Sequence, residues 1–455
     1  MYKIHRIHMV GIGGIGMSGI AEILYYSGYE VTGSDIAESF PVHYLRQLGI
    51  RIYIGHKREN IAGAQVVVYS SAVKDGNEET YAARDALIPV VPRAEMLAEL
   101  MRSKYGICIA GAHGKTSTTA MISTILEEGG FDPTIIIGGR LDSIGSTAKY
   151  GKGDFFIAEA DESDGSFLIL SPAIAVVTNI DREHLDFYKD LSYIKEAFLR
   201  FGNSIPYYGL LLLCGDDENI QAIMQGFTRR IWTYGLSEKA DIQARATTTQ
   251  WLGSHYDLYL HNKFLGHIRL TCPGEHNIYN SLAAIGVALE LEVPFPVIQN
   301  ALENFKGADR RFQIKGEANG ITVIDDYAHH PEEIKVTLKA ARAGSSRRLV
   351  VVFQPHRYTR TMDLLPEFVR AFDEADIIIL TNIYSATEKP IPGVHAKSIM
   401  EGIKNNGKEE IYFIDRVEDI PALLIEITQP ADIVMTLGAG NIWMAAEKFL
   451  EKIVT

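Results

Sequence analysis

The chain has 455 residues and a formal net charge of −13, with 47% apolar and 22% charged residues. This length predicts two or three domains of ordinary globular composition. An acidic balance without long charged runs argues against a nucleic-acid-binding protein, and no apolar run approaches the roughly 20 residues of a membrane span. Three isolated cysteines predict neither a metal site nor a disulfide framework, so we expect a reducing, cytoplasmic setting.

The first strand and the turn after it carry a glycine fingerprint. Residues 4–10 are predicted to form a strand, the turn 11–16 reads Gly-Ile-Gly-Gly-Ile-Gly, and a helix follows over 17–26. The next strand ends at Asp35, which gives the form of a dinucleotide-binding turn. The turn alone does not distinguish NAD from a nucleotide sugar, and tight strand–helix packing is an alternative explanation for the glycines.

A strand at the start of a second unit of the chain leads into a phosphate-binding loop. Residues 106–110 are predicted to form a strand, and Gly111-Ala112-His113-Gly114-Lys115-Thr116 joins it to a helix that continues through Ser117. Backbone N–H groups of such a loop point at phosphate oxygens, the lysine reaches the outer phosphates, and the threonine hydroxyl can ligate magnesium. We expect the lysine to face solvent until nucleotide binds. The loop is shorter than the usual pattern, and a plain glycine-rich turn is the alternative.

Acidic and imidazole side chains follow two later strands of the same unit. A strand near 155–159 ends at Glu159, and a strand near 174–179 leads to His184. The carboxyl ends of parallel strands meet at one edge of a sheet, so we expect both side chains beside the phosphate loop as magnesium ligands. Solvated acidic loops are the alternative.

Strands and helices alternate through most of the chain, which predicts an α/β fold with mainly parallel sheets. Short turns near 242–270 suggest antiparallel strands, and the alternation restarts near residue 321. We therefore predict three α/β domains. They are a Rossmann-like N-terminal domain over 1–103, a central P-loop ATPase-type domain over 104–308, and a C-terminal Rossmann-like domain over 309–455.

Six segments together resemble the Mur ligase family. They lie at 111–119, 159–167, 178–186, 274–277, 325–331 and 353–360. The match to the family covers nearly the whole chain in order. Within the family they are most similar to the ligases that add L-alanine to UDP-N-acetylmuramate. A peptide-recycling ligase of the same family is the alternative, although the first glycine turn and Ser70-Ser71-Ala72 fit the alanine-adding enzymes better.

The resemblance implies an ATP-dependent ligase of peptidoglycan precursor synthesis. It would join L-alanine to the lactyl carboxylate of UDP-N-acetylmuramate through an acyl phosphate, with ATP and Mg²⁺ as cofactors. The implied partners are small-molecule substrates, without nucleic acid or membrane, and the oligomeric state stays open. An NAD-dependent oxidoreductase would leave the phosphate loop without a purpose, and a nucleotide-binding regulator without catalysis would not explain Glu159 with His184.

The resemblance also implies roles for individual residues. The UDP-sugar would be held by Gly13, Gly14, Ile15, Gly16, Asp35, His56, Ser70, Ser71 and Arg93. ATP would be held by Gly111, Ala112, His113, Gly114, Lys115, Thr116, Ser117, Asn277, Asn280 and Arg311, and the metal by Thr116, Glu159 and His184. The closing face of the C-terminal domain would contain His329, His330, Arg357 and Arg360.

Three of these roles have alternatives in ordinary structural chemistry. Asn277 could cap a helix. Arg310 and Arg311 suit phosphate or carboxylate contacts, but a solvated charge pair at a domain hinge would look the same. Either His329 or His330 could deprotonate the amine of the amino acid, although histidines often serve as plain hydrogen-bonding residues. The residues implied to be catalytic are Lys115, Glu159, His184, His330 and Arg357.

Overall fold

The computed structural model describes residues 3–74, 76–141, 146–184, 187–386 and 388–454. Within these residues three sheets carry helices, and the predicted α/β fold is confirmed. The chain divides into two compact units, of which one comprises Met1–Ala246, Tyr256–Ile268 and Tyr279–Lys306. The other comprises Thr247–His255, Arg269–Ile278 and Gly307–Thr455. In the described part of the chain, no helix has the length and apolarity needed to cross a bilayer.

The first sheet has five parallel strands in the order β3-β2-β1-β4-β5. The strands are β1 Arg6–Val10, β2 Glu30–Asp35, β3 Arg51–Ile54, β4 Val66–Tyr69 and β5 Val90–Pro92. The helices are α1 Ile15–Tyr26, α2 Phe40–Gln47, α3 Glu78–Asp85 and α4 Arg93–Met101. Strand order reverses between β1 and β4, and in such sheets the crevice at the carboxyl ends of the two strands is where ligands bind.

The second sheet has the order β15-β14-β13-β12-β11-β10-β6-β9-β7-β8. Its strands are β6 Tyr105–Ala110, β7 Thr134–Leu141, β8 Ser146–Lys149, β9 Phe155–Glu159, β10 Ile174–Val177, β11 Leu210–Cys214, β12 Ile231–Gly235, β13 Ile242–Gln250, β14 Gly253–Leu260 and β15 Lys263–Leu270. Its helices are α5 Lys115–Glu128, α6 Leu191–Asn203, α7 Glu218–Ile223, α8 Glu275–Glu290 and α9 Phe295–Glu303.

Strand β6 is an interior strand of the second sheet, because β9 and β10 pair with it in parallel on either side. The strands β10 and β11 are buried along their whole length, as expected of parallel strands covered on both faces. The loops after β6, β9 and β10 therefore emerge at one edge. These loops contain the phosphate loop, the acidic segment and the segment that ends at His184.

The third sheet has the order β16-β17-β21-β18-β19-β20, with only β16 antiparallel to its neighbour. Its strands are β16 Gln313–Ala318, β17 Ile321–Asp326, β18 Leu349–Phe353, β19 Ile377–Leu380, β20 Ile411–Phe413 and β21 Ile433–Leu437. Its helices are α10 Pro331–Arg342, α11 Tyr358–Asp363, α12 Leu365–Val369, α13 Ala396–Asn405, α14 Ile420–Ile427 and α15 Trp443–Val454.

Alternate residues of β18 in the third sheet pack into two separate hydrophobic cores. Leu349, Val351 and Phe353 pack with α10, α12 and α13, while Val350 and Val352 pack with α14 and α15. This is the period-two alternation of a strand buried on both faces. Helices therefore cover both faces of this strand.

Candidate functional site

The phosphate loop needs its glycines for both conformation and space. Gly111 has φ of 136°, and a Cβ there would lie 2.0 Å from Thr178 Oγ1. Gly114 has φ of 83°, and a Cβ there would lie 2.5 Å from Asn280 Oδ1. Both positions therefore exclude any larger residue, and the loop can pass close to its neighbours before α5 begins at Lys115.

The end of β10 fixes the shape of this loop. Thr178 Oγ1 and Asn179 Nδ2 donate to the carbonyl of His113 at 2.6 and 3.0 Å, and His113 N donates to Asn179 Oδ1 at 2.8 Å. The His113 ring lies 3.2 Å from Asp181 Oδ2. The two residues that follow β10 thus form hydrogen bonds with the backbone of the turn. The N–H groups at the start of α5 remain available to a phosphate.

Lys115 is tied to a carboxylate. Its Nζ donates to Glu162 Oε1 at 2.7 Å and to the carbonyls of Gly111 and Ala112, and only 18% of its side chain is exposed. Burial alone would lower the pKa of Lys115, but Glu162 outweighs burial and raises it. The expectation that this lysine faces solvent is wrong, because the acidic segment after β9 covers it.

Glu162 is the most deeply buried acid near the phosphate loop. Only 4% of its side chain is exposed, and its Oε2 has no hydrogen-bond partner among the described residues. Burial raises the pKa of Glu162 to about 7, although Lys115 opposes the shift. A carboxylate oxygen that is buried without a partner costs free energy unless a cation or donor meets it.

Glu162, Glu183 and His184 have ligand atoms that all lie within 4.8 Å of one another. His184 Nε2 lies 3.7 Å from Glu162 and 3.8 Å from Glu183, and its φ of 56° is unusual for a non-glycine residue. The segment predicted from 178–186 ends with Leu185 and Asp186, which lie outside the described residues. One imidazole and two carboxylates form a donor set that suits a divalent cation.

Glu159 and Thr116 meet a different element, the glycine pair of β7. Glu159 Oε1 accepts from Gly138 N at 2.9 Å, and a Cβ on Gly139 would lie 3.4 Å from Thr116 Cγ2. Glu159 is also close enough to raise the pKa of Lys115. The predicted residues Thr116, Glu159 and Lys115 thus share one edge of the sheet.

The two asparagines of α8 occupy different surroundings. Asn280 Oδ1 accepts from Thr118 Oγ1 at 3.2 Å and lies against the phosphate-loop glycine, so this residue does contact the predicted ATP loop. Asn277 is buried and donates to the Pro273 carbonyl at 2.8 Å. It lies within the first turn of α8 rather than before it, so the helix-capping alternative is wrong in that form.

The first glycine turn is built around Asp35. Gly13 N donates to Asp35 Oδ2 at 2.8 Å, and a Cβ on Gly13 would lie 2.9 Å from the same oxygen. A Cβ on Gly16 would lie 2.8 Å from Arg93 Nη1. Gly14 precedes α1, which begins at the half-exposed Ile15. The turn therefore presents the amino end of α1 between Asp35 and Arg93.

Residues after β3 and β4 complete this edge of the first sheet. Ser70 packs on Gly11, since a Cβ on that glycine would lie 3.1 Å from Ser70 Cβ, and Ser71 beside it is exposed. His56 Nδ1 lies 2.9 Å from Ser34 Oγ. Arg93 Nη2 lies 3.4 Å from Asp161 Oδ2, which brings the first sheet's predicted site next to the acidic segment after β9.

The C-terminal residues predicted to act on the amino acid form a cluster of rings and cations. His329 and His356 have ring centroids 5.5 Å apart, and His356 stacks on Tyr384. Burial lowers the pKa of His356 to about 4, with a smaller contribution from the charge of Arg360. Burial also lowers the pKa of His329, to about 3. Arg360 Nη1 is buried without a hydrogen-bond partner among the described residues. Arg357 immediately precedes α11, with φ of 69°.

His330, Arg310 and Arg311 have structural contacts in the same unit. His330 is buried before α10, and its N lies 3.3 Å from Glu333 Oε2 as a cap of that helix. Arg310 bonds Asp325 at 2.8 Å and the carbonyls of Gly438 and Gly440, so it is not a solvated hinge charge. Arg311 lies over the Tyr327 ring, near Asp326 and His276.

Three family models match consecutive parts of the chain. They describe the catalytic domain of the Mur ligase family over residues 6–105, the Mur ligase middle domain over 109–288, and the Mur ligase glutamate ligase domain over 310–440. The chain belongs to the Mur ligase family. The predicted resemblance is confirmed, and Mur ligases are ATP-dependent enzymes with small-molecule substrates.

Relatives of this Mur ligase match nearly its whole length. It is 56% identical to a UDP-N-acetylmuramate–L-alanine ligase of Geotalea uraniireducens and 54% identical to one of Geobacter sulfurreducens. Both matches cover 99% of this chain and 98% of the relative. The crystal structure of the UDP-N-acetylmuramate–alanine ligase of Thermotoga maritima is similar, with a TM-score of 0.85 and 30% identity over 98% of each chain.

Proposed function

We propose that this Mur ligase joins L-alanine to the lactyl carboxylate of UDP-N-acetylmuramate at the expense of ATP, in peptidoglycan precursor synthesis. The observation that carries the proposal is that two candidate ligand-binding sites lie next to each other in one compact unit. A phosphate loop lies beside an acidic segment, and Arg93 connects that segment to the glycine turn around Asp35. A nucleotide sugar and a nucleoside triphosphate would both find a helix amino end there.

The phosphate loop supplies charge stabilisation for phosphoryl transfer. A carboxylate is a poor electrophile, so the lactyl group takes the γ-phosphoryl group of ATP and becomes an acyl phosphate. Lys115 and the N–H groups at the start of α5 balance the negative charge of the transferring group. Because Thr178 and Asn179 already hold the loop, little reorganisation is needed when that charge develops.

The residues near Lys115 fit a magnesium ion. Glu162 Oε2 is buried without a hydrogen-bond partner in the described structure, and Glu183 and His184 lie close to it. Thr116 and Glu159 offer further oxygen ligands beside the glycine pair of β7. Hard oxygen donors suit Mg²⁺, and the ion when bound supplies positive charge against the phosphate oxygens. We propose Thr116, Glu159, Glu162 and His184 as its ligands.

The first glycine turn is the proposed binding site of the UDP-sugar. Arg93 supplies a guanidinium beside Gly16 at the amino end of α1, where a diphosphate is favoured. Asp35 accepts from Gly13 N through one oxygen and from Ile36 N through the other, so it shapes the turn. His56, Ser70 and Ser71 stand at the same edge of the sheet and are the proposed contacts to the nucleoside and sugar.

The C-terminal cluster is the proposed source of contacts to the amino acid. Arg360 has a buried guanidinium nitrogen that can meet a carboxylate, and Arg357 is the second candidate for the same contact. A pKa of about 3 makes His329 a weak proton acceptor at neutral pH, so its proposed part is to orient the amine. The amine of L-alanine then attacks the acyl phosphate and phosphate leaves.

Binding and product analysis test this function directly. Calorimetry should show binding of UDP-N-acetylmuramate and none of NAD, whereas tight NAD binding would favour an oxidoreductase. With ATP, Mg²⁺ and L-alanine present, the product should be the alanyl derivative. If a preformed tripeptide is the preferred acceptor, the chain is the peptide-recycling member of the family. The proposal also assigns the reaction to the cytoplasm, where ATP is available.

A further inference from the structure

A buried carboxylate lies beneath the proposed UDP-sugar site and belongs to none of the residues assigned to it. Glu79, the second residue of α3, has no exposed surface. The cap Asn77 holds this turn of the helix, since its Oδ1 accepts from Glu79 N at 3.0 Å and from Thr80 N at 3.1 Å. A buried charged group of this kind must be fully hydrogen-bonded, or it would destabilise the fold.

Both oxygens of Glu79 are saturated by groups from other elements. Oε1 accepts from Asn60 Nδ2 at 2.6 Å and from Lys57 N at 3.3 Å. Oε2 accepts from the Ser34 hydroxyl and lies 3.2 Å from His56 Nδ1 and 3.6 Å from His8 Nε2. Burial opposes the charge, but hydrogen bonds from these groups outweigh it and lower the pKa of Glu79 to about 2. Glu79 is therefore ionised and can only accept.

The partners of Glu79 are the residues that shape the glycine turn. Ser34 precedes Asp35, and the Ser34 carbonyl accepts from Gly11 N at 2.8 Å and Ile12 N at 3.0 Å. His56 follows β3, where Gly55 N donates to the Asp35 carbonyl at 2.8 Å. One carboxylate thus connects the end of β2 and the segment after β3 with the start of α3.

The network determines which nitrogen of His56 carries the proton. The Ser34 hydroxyl donates its hydrogen to Glu79, so its oxygen can only accept a hydrogen bond from His56. The ionised carboxylate of Glu79 can only accept a hydrogen bond from His56 as well. Nδ1 of His56 must therefore be the donor. In the neutral ring, Nε2 then carries a lone pair and is the nitrogen left for a ligand.

We propose that Glu79 is a positioning residue that fixes the Nδ1–H tautomer of His56, so that His56 Nε2 accepts a hydrogen bond from the nucleoside of the UDP-sugar. This inference rests on the proposed function. The chemistry required of the ligand is a hydrogen-bond donor, which the uracil N3–H and the ribose hydroxyls both provide. A nucleoside that has no hydrogen-bond donor near His56 Nε2 would leave this nitrogen without a partner and would bind more weakly.

The tautomer is measured first, on the full-length parent protein labelled with ¹⁵N-histidine. His56 is assigned by comparison with His56→Ala, and its nitrogen shifts report which nitrogen is protonated. The inference expects Nδ1–H. An Nε2–H ring in the parent protein overturns it, whatever the variants do, and this result does not depend on the enzyme's substrate.

Binding of UDP to Glu79→Gln is measured next by calorimetry. The amide would present a donor toward His56, so we expect the tautomer to switch and the Kd for UDP to rise about tenfold, with ATP binding unchanged. Exposed Glu78→Gln is the matched control and should bind UDP like the parent. In a His56→Ala background, Glu79→Gln should cause no further loss. An unchanged Kd in Glu79→Gln, or additive losses, would overturn the inference.

Three analogues identify the donor. With N3-methyl-UDP the parent and Glu79→Gln should bind alike if the uracil is the donor, and with 2′-deoxy-UDP or 3′-deoxy-UDP they should do so if that ribose hydroxyl is. A Glu79→Gln effect of full size with all three analogues contradicts a nucleoside contact. A parent protein that has the Nδ1–H tautomer but binds no UDP refutes the proposed function and the ligand contact together, whereas the wrong tautomer with normal UDP binding refutes the inference alone.

Discussion

Replacing Lys115 with Met should abolish phosphoryl transfer and also change how stability depends on pH. The first effect follows because an apolar side chain cannot balance the charge of the transferring phosphoryl group. The second follows because Lys115 is the cationic partner of Glu162, which is almost fully buried. Removing one member of a buried ion pair leaves an uncompensated charge, at a cost of about 3–5 kcal/mol if the charge is kept.

In the Lys115→Met variant, Glu162 will take up a proton, and protonation avoids part of the cost of an unpaired buried charge. Its usual pKa is 4.5, and in the parent burial raises it to about 7 against the opposing effect of Lys115. A carboxyl whose folded pKa is raised stabilises the fold fully below its unfolded pKa, and that contribution is lost as the pH rises to the folded pKa. From pH 6 to pH 8 the parent should lose about 1.4 kcal/mol through this group.

Without Lys115 the pKa of Glu162 rises further, so the loss continues to higher pH. If it titrates above pH 8, the variant loses about 2.7 kcal/mol over the same interval. Denaturant unfolding at pH 6, 7 and 8 measures the difference, and phosphate release measures activity. The matched control, Lys115→Met with Glu162→Gln, should have a flatter profile. Parallel profiles of parent and single variant would refute this account of the pair, and normal turnover would refute the loop's role.

Three further variants or assays have definite outcomes. Gly111→Ala should lose ATP binding, because its Cβ would meet Thr178 Oγ1 at 2.0 Å, whereas Gly130→Ala, also at positive φ but with open space around it, should bind ATP like the parent; equal ATP binding by the two variants would contradict the loop geometry. Glu159→Ala and His184→Ala should each raise the magnesium concentration needed for half-maximal turnover, and titrations that overlay the parent curve would remove them as ligands. Glycine and L-serine should be poorer acceptors than L-alanine by about 1–3 kcal/mol, while D-glutamate should not react; equal rates would exclude a tight apolar pocket.

The sequence predicted the framework of the site well, because parallel strands dictate where their loops meet. The strand predicted near 155–159 is β9 with the same bounds, and the strand predicted over 106–110 is β6, which begins one residue earlier. The hairpin of β7 and β8 was not predicted, since Gly138 and Gly139 interrupt the apolar run. Those glycines turned out to be where Glu159 and Thr116 approach the backbone.

The side-chain pairing of the site was harder to predict. Of four acids in the segment 159–164, Glu159 was singled out, but Glu162 holds Lys115. The choice depends on how the chain turns after β9, and no periodicity encodes that turn. Glu79 was missed because an acid near the start of a helix usually reflects the helix dipole. Only the fold brings it onto Ser34 and His56, about twenty to forty-five residues earlier.

The most direct test of the central claim is the mass of the product. The purified protein is incubated with ATP, Mg²⁺, UDP-N-acetylmuramate and one amino acid at a time, and the nucleotide-sugar fraction is weighed by mass spectrometry. The account predicts that L-alanine gives the UDP-N-acetylmuramoyl-alanine mass together with one phosphate released per product. No mass gain with L-alanine, or a product formed only with a preformed tripeptide, would contradict it.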